Sequence, residues 1–353
     1  MTRASKPLAG ISLLESPDLL QAYYPLFENG RIAALESNID VDARPNAPAW
    51  KASLLKLFAD GGRLVGHSVR YPILAVDSKQ TTTALLERFD LARRKNPYAM
   101  VSAHYGVTET TTYGALAPIP CPMSDALVEH AHDQLVRLQD ACECPVGLEN
   151  LALAFTLDDV KRQGEYLDRI LERVDGYVLL DLHNLFCQVK NFDVPFDELL
   201  ASYPLSRVRE VHLSGGSESE HCGRRIRRDT HDGPVPGECL EMLATTLERA
   251  PNVRFAMLER MSGTVGDGGE EIRQSFEKMA AILDIDRDVR ATSSVARKEL
   301  PSQMGSEELA VFQENMMSFL EGESDADGSL AEADAAMVDV GRKLLSRWGR
   351  KRA

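Results

Sequence analysis

No apolar run in the 353 residues reaches the roughly 18 that a membrane-spanning helix needs, so the sequence offers no anchor of that class. An early basic flank is followed by an apolar stretch that Glu15, Pro17 and Asp18 interrupt, and the segment does not read as a secretory signal. Cysteine is scarce. The six, at positions 121, 142, 144, 187, 222 and 239, are too few for a disulfide scaffold and lack the paired CxxC spacing of a zinc site. Excess positive charge is missing too: 40 Lys and Arg face 54 Asp and Glu, leaving a formal charge of -14, a poor basis for non-specific nucleic-acid binding. A short internal repeat and the glycine fingerprint of a dinucleotide-binding turn are also lacking, since Gly10 alone does not supply it. The expectation is a soluble cytoplasmic protein with no membrane and no nucleic-acid partner.

What is present is a composition able to fill a large core, 44% hydrophobic with 27% charged residues. Short apolar segments at 10–14, 33–39, 64–69, 100–106, 145–151, 177–184, 208–215 and 255–260 read as eight strands. Between them, 49–58, 82–94, 124–141, 158–173, 238–249 and 270–283 are compatible with helices; in 124–141, Leu127, Ala131, Leu135 and Leu138 form one apolar stripe. This alternation predicts an α/β fold, a TIM-like (β/α)8 barrel over residues 8–285. An open doubly wound sheet is the alternative, disfavoured by the missing glycine turn. Beyond the barrel, Pro301 and Ser302 interrupt regular structure, and the chain is expected to leave it across 292–306. Segments 308–320 and 330–348 then read as helices joined by an acidic linker, in a flexible or helical C-terminal extension over 286–353. Its closing Arg347, Arg350, Lys351 and Arg352 either tether the tail to acidic protein surface or stand solvated at a fraying end.

A parallel barrel gathers the loops after its strands on one rim, so residues far apart in sequence surround a common site. The sequence places His67, His104, Glu149, Asp181 with His183, His212 and Glu259 at six candidate strand ends, and Asp229 with His231 in the loop after the seventh strand. Any one of them is as readily a turn cap as a ligand. Several carboxylates buried together without cations suffer desolvation and repulsion, whereas metals turn carboxylate and imidazole lone pairs into coordination bonds. The mixed nitrogen and oxygen set suits iron, zinc or manganese. Eight donors exceed the need of one four-coordinate ion, so two or three metals are expected, with Glu149, Asp181 and Glu259 as bridging candidates. Asn184 either orients a ligand through its amide or stabilises a turn. His130 and His132, two residues apart on a helix, do not share a face and are poor ligand candidates.

The ordered segments GHS at His67, SAHY at His104, GLENL at Glu149, LLDLHN at Asp181, REVHLSG at His212, RDTHDGPVP at Asp229 and His231, and MLER at Glu259 resemble the DUF692 family. That family comprises multinuclear non-heme iron-dependent oxidative enzymes and includes the methanobactin biosynthetic oxidase; the resemblance covers residues 8 to 285. It implies a barrel holding two or three iron ions that uses dioxygen as co-substrate to oxidise cysteine residues of a ribosomally synthesised precursor peptide, often with a separate peptide-binding partner protein. It also implies His67, His104, Glu149, Asp181, His212, Asp229, His231 and Glu259 as metal ligands. The chain departs from the family pattern at Ala103, where a glutamate is usual, and at His183, where the usual DxNN reads Asp181-Leu182-His183-Asn184. The RYPILAV segment after His67 lacks the glycine-rich continuation of relatives. His183 stays open as a further ligand, a proton relay behind the ligands, or a turn residue.

Two loops remain. The loop 106–123, rich in threonine and proline, either shapes one wall of the pocket or is ordinary loop architecture. The loop 215–233 carries Arg224, Arg225, Arg227 and Arg228, which either bind substrate through forked hydrogen bonds to carboxylates or carbonyls, or form a charged surface. The donor set alone also permits a divalent-metal hydrolase or isomerase on the same barrel, or a non-catalytic metal-dependent scaffold that binds a peptide.

Overall fold

The computed structural model describes residues 6–76, 78–285, 295–300, 305–326 and 328–352. Eight parallel strands close into a barrel in sequence order: β1 (Leu8–Leu13), β2 (Ala34–Asn38), β3 (Leu64–Ser68), β4 (Met100–His104), β5 (Val146–Glu149), β6 (Gly176–Asp181), β7 (Val208–Leu213) and β8 (Phe255–Leu258). The ring closes where β8 pairs with β1, Phe255 opposite Leu8 and Leu258 opposite Ile11. The expected eight strands are all there. A helix follows each: α1 (Pro17–Glu28), α2 (Ala49–Asp60), α3 (Lys79–Lys95), α4 (Asp125–Cys142), α5 (Leu157–Ile170), α6 (Leu182–Phe192), α7 (Gly237–Arg249) and α8 (Glu270–Leu283).

Two of these helices differ from the sequence reading. The segment 17–28 gives no clean helical signal because Pro25 interrupts it, yet Pro17 sits at the first turn, where its missing N–H is no loss. The segment 177–184 reads as one strand, but β6 stops at Asp181. Its carboxylate accepts the backbone N–H of Asn184 at 2.6 Å and caps α6, as an anion at a helix N-terminus does. His183 and Asn184 therefore stand in a first helical turn, not on a strand.

Strand alternation divides the residues between two compartments. Outward residues pack against the helices in the main apolar core; on α4 the stripe Leu127, Ala131, Leu135 and Leu138 is fully buried. Inward residues Ala34, Val65, Met100, Tyr177, Leu179, Phe255 and Met257 form a separate plug in the lumen. Glycine makes this plug fit, for a Cβ on Gly147 would lie 2.4 Å from the Tyr177 ring. Two residues further along the same strands, on the same face, come Glu36 after Ala34, His67 after Val65, Glu149 after Gly147, Asp181 after Leu179 and Glu259 after Met257. The plug is thus the floor of a polar chamber at the C-terminal rim.

Outside the barrel, Gly164 of α5 lies against the chain at Ser202–Tyr203, where an added Cβ would be 2.3 Å from the Ser202 carbonyl oxygen. Backbone cannot yield as a side chain does, so Gly164→Ala is expected to lower unfolding free energy by about 1–3 kcal/mol in urea titrations.

The expected boundary at 286 lies outside the described residues, as do 292–294 and 301–304 of the expected exit at 292–306, with Pro301 and Ser302 among them. Two further helices follow, α9 (Ser306–Glu321) and α10 (Ala335–Trp348), close to the segments read as helical. In α9, Gln313 donates to the Leu74 carbonyl at 2.7 Å and accepts from the Val76 amide at 3.2 Å. Arg350–Lys351 pairs antiparallel with Tyr113–Ala115 of the loop after β4. Among the described residues no helix is long and apolar enough to cross a membrane.

Candidate metal centre

The chamber begins with Glu149 at the end of β5. The Nε2 atoms of His67 and His104 lie 3.4 and 3.2 Å from its Oε2. The His67 ring is fixed from behind by Ser102, whose Oγ is 2.7 Å from Nδ1. Glu149 also belongs to a second group with Asp181, His212 and Glu259, whose donor atoms all lie within 4.8 Å of one another. Asn184, in the first turn of α6, reaches back with Nδ2 3.3 Å from the other oxygen of Glu149 and 2.8 Å from the Asn150 carbonyl. A third constellation adjoins these. Asp229 Oδ1 is 3.0 Å from His183 Nδ1 and 2.8 Å from His231 Nε2, while His231 Nδ1 is 3.6 Å from Glu259 Oε2. All eight expected donors and His183 thus meet in one place.

Two residues that the sequence reading passes over belong here as well. Glu36 of β2 puts Oε2 3.0 Å from His212 Nε2, and Glu210, two residues before His212, puts Oε1 3.7 Å from the same atom. Tyr177 donates to Glu210 from below at 3.4 Å. The available signal was a glutamate on the inward face of an otherwise apolar strand. His130 and His132 serve structure: their Nε2 atoms bond the Ala75 and Arg169 carbonyls.

Burial dominates the electrostatics. Desolvation holds His67 well below the ordinary imidazole range, with the neighbouring His104 and His212 adding to it, and lowers His104 to about 4. Desolvation likewise raises Glu149 well above the carboxylate range and Asp181 to about 7, the latter helped by Asp229 and Glu259. His212 goes the other way: desolvation opposes its charge, but Glu36 and Glu259 prevail and raise it. Asp229 and Glu259 are lowered against desolvation by the charged histidines they face. Among the described residues, Asp181 Oδ2, Asn184 Oδ1, His104 Nδ1, His183 Nε2 and His212 Nδ1 are buried without a hydrogen-bond partner. Buried polar atoms are ordinarily satisfied, and oxygen and nitrogen lone pairs converging this densely fit metal ions.

A pH dependence follows. His104, lowered to about 4, gains stability as pH rises towards its unfolded value, but Asp181, raised to about 7, keeps in the folded, metal-free state a proton that the unfolded chain gives up near pH 4, so its contribution to stability is lost as pH rises from about 4 to 7. The raised His212 acts in the same direction. Metal must displace these protons, so metal affinity is expected to rise from pH 6 to pH 8 with net proton release, measured by titration calorimetry in buffers of different ionisation enthalpy.

The chamber opens into a cavity of about 520 Å³. Its lining joins His67, His104, Glu149, Asp229, His231 and Glu259 to Arg227 and Arg228 of the hairpin strand Arg224–Arg227 and its flank, and to α10. Ala117 and Pro118 of the loop after β4 contribute to one wall. Arg224 and Arg225 are not in that lining: Arg224 pairs with Asp334 and the Asn191 carbonyl, and Arg225, largely exposed, faces Glu218.

A family model described as RiPP precursor modification enzyme MbnB/TglH/ChrH, RiPP denoting a ribosomally synthesised and post-translationally modified peptide, matches residues 44–267, more than half of the chain. The chain belongs to this family. The match to the MbnB/TglH/ChrH family contains every donor of the chamber except Glu36, and stops before α8. Curated relatives include a UPF0276 protein of Caulobacter vibrioides, 30% identical over 171 residues, which are 48% of this chain and 59% of the relative. Another, from Paraburkholderia phytofirmans, is 31% identical over 153 residues, 42% of this chain and 48% of that protein. This member of the MbnB/TglH/ChrH family therefore spans less than two thirds of the length of those relatives. Among solved structures, endonuclease IV from Thermus thermophilus superposes with a TM-score of 0.50 at 17% identity, over 79% of this chain and 99% of the other. L-ribulose 3-epimerase does so with a TM-score of 0.50 at 10% identity, over 97% of each chain. These two establish the barrel fold alone.

Proposed function

We propose that the chain is a multinuclear iron-dependent oxidase that uses dioxygen to modify cysteine residues of a ribosomally synthesised precursor peptide, assisted by a separate peptide-binding partner protein. The barrel unit, 8–285, carries the chemistry, and the extension, 286–353, is appended to it. The observation that carries the reading is the sharing of Glu149 between two groups of donors beneath a cavity large enough for several side chains. One carboxylate common to two groups is what neighbouring cations require. His67, His104 and Glu149 would hold one iron. Glu149, Asp181, His212 and Glu259 would hold a second, and Asp229 with His231, and His183 at 3.0 Å from Asp229, a third. Bound iron supplies electron exchange with dioxygen and a Lewis-acidic seat for a thiolate.

The chain's own residues do the rest. Asn184 fixes the orientation of Glu149, and Ser102 holds the His67 ring so that Nε2 points into the chamber. His183 Nε2 is buried without a hydrogen-bond partner among the described residues, while Nδ1 lies 3.0 Å from Asp229, which leaves Nε2 as the nitrogen available to the third iron. The apolar cavity wall limits water at the sulfur. A cytoplasmic setting keeps the substrate thiol reduced until it arrives.

The test is anaerobic loading with ferrous iron, then exposure to a cysteine-containing peptide encoded beside the gene, with and without dioxygen. An oxygen-dependent mass change on the peptide is expected. Equal turnover with zinc, or turnover that consumes no dioxygen, would overturn the reading in favour of metal-dependent hydrolysis or isomerisation.

A further inference from the structure

The wall of the cavity opposite the metal chamber comes from α10, which lies beyond the family match. Met337, Val340, Lys343, Leu344, Arg347 and Trp348 line it on that side. The helix is fixed along its length. Asp334 caps it, accepting from the Ala336 and Met337 amides at 2.9 and 3.2 Å, and pairs with Arg224 of the hairpin. Asp339 lies 2.8 Å from Nδ1 of His221, itself a buried cavity residue. Gly341 lets the helix seat on Phe155, for a Cβ there would be 3.2 Å from the Phe155 ring. Past the helix end, Arg350–Lys351 pairs with Tyr113–Ala115, and Arg352 reaches the buried Glu109. A helix held at its start, middle and end is a standing wall, not a flap.

Two features of this wall lack an internal explanation. Trp348 is 44% exposed although it borders the cavity, which leaves apolar surface for something to cover. Arg228 and Arg347 have no carboxylate partner among the described residues. The Arg228 Nε is buried without a partner and its Nη2 meets only Ser217 Oγ, at 3.4 Å; Arg347 lies over the Trp348 ring at 5.0 Å. In a chain with a formal charge of -14, two guanidinium groups without acids that border one cavity match an anionic occupant.

We infer that α10 and the neighbouring hairpin form the substrate-recognition wall, which takes a peptide segment with an apolar side chain against Trp348 and a carboxylate against Arg228 and Arg347. The inference rests on the peptide-oxidation reading and adds the substrate class. Sequence preference around the modified cysteine then comes from the C-terminal extension, while the metal donors come from the barrel.

The test uses full-length, iron-loaded protein without dioxygen. The chain has two tryptophans, and Trp50→Phe leaves Trp348 as the sole reporter. The probes are synthetic acetylated cysteine peptides with leucine beside the cysteine and Glu, Gln or Lys at the next position, each as free acid and as amide. Peptides with a carboxylate are expected to shift Trp348 emission and to bind about tenfold tighter than the Gln amide, the scale of one charge-assisted contact. Glu amides against Gln free acids tell a side-chain carboxylate from a terminal one. Arg347→Glu and Arg228→Glu are expected to move the preference to the Lys amide with iron content unchanged. Should R228E fail to fold, R347E alone decides, because Arg347 is exposed. Preferences unchanged within twofold in R347E, or Trp348 emission blind to every peptide, overturn the wall. If charge-dependent binding holds but no bound peptide changes mass once dioxygen and the partner protein are added, the oxidase reading falls and the wall stands.

Discussion

Glu149→Ala is expected to abolish turnover and to reduce bound metal by more than one ion per chain, measured by elemental analysis after desalting. An outer partner of a metal ligand typically contributes 10–100-fold to affinity or activity, on the order of one or two decades. Glu149 stands nearer than that: His67 and His104 converge on one of its oxygens, and Asp181, His212 and Glu259 share its second group. Its loss removes a donor from both groups at once. His67→Ala, which touches only the first group, is expected to lose less metal than Glu149→Ala; equal losses, or a wild-type metal content in Glu149→Ala, would count against the shared role. Stability should move the opposite way in the absence of metal. Burial raises the Glu149 carboxyl well above its usual range, so metal-free folding already works against this group. Metal-free Glu149→Gln is therefore expected to unfold at the same temperature as metal-free wild type or above it, while being inactive. An active site that disfavours its own empty form is the usual exchange between function and stability.

The sequence made this centre legible to the extent that strand periodicity carries it. His67, His104, Glu149, Asp181, His212 and Glu259 each interrupt an apolar segment near its end, and a parallel barrel brings such ends to one rim whatever the intervening helices. Glu36 and Glu210 obey the same alternation but stand one step deeper, inside strands, where a glutamate between apolar residues reads as an outward-facing solvated group until closure of the barrel fixes which face is the lumen. The start of α6 was hidden for a different reason. Leu179 to Leu185 is an apolar stretch that reads equally as strand or helix, and only the Asp181 carboxylate bonding the Asn184 amide decides it. The placement of α10 over the cavity has no local signal at all. The amphipathic pattern of 330–348 specifies a helix with one buried face, and not which part of the barrel it covers. Likewise four arginines within five residues cannot tell which of them face the cavity until the hairpin register is known; Arg227 and Arg228 do, Arg224 and Arg225 do not.

The second large effect is expected at Glu36, which lies outside the family match. His212 presents Nδ1 toward Glu259, 3.3 Å away, and Nε2 toward Glu36, 3.0 Å away. An imidazole that gives one nitrogen to a metal carries its proton on the other, and a carboxylate accepting that proton fixes both tautomer and ring orientation. Glu210 and Tyr177 stand behind the pair, with Tyr177 seated where Gly147 leaves room. Glu36→Gln keeps the shape and an acceptor oxygen but withdraws the charge that raises His212, so affinity of the group containing His212 is expected to fall about 10–100-fold in competition with a chelator. Glu36→Leu withdraws the acceptor as well. It leaves the His212 N–H without Glu36, frees the ring to turn, and should lose more than Glu36→Gln while the group of His67, His104 and Glu149 still binds its ion. A uniform loss from both groups would mean that Glu36 supports the lumen as a whole. An unchanged affinity in Glu36→Leu would mean that His212 is oriented by Glu210 alone, which at 3.7 Å is the weaker of the two contacts and the one that Glu210→Gln would then expose.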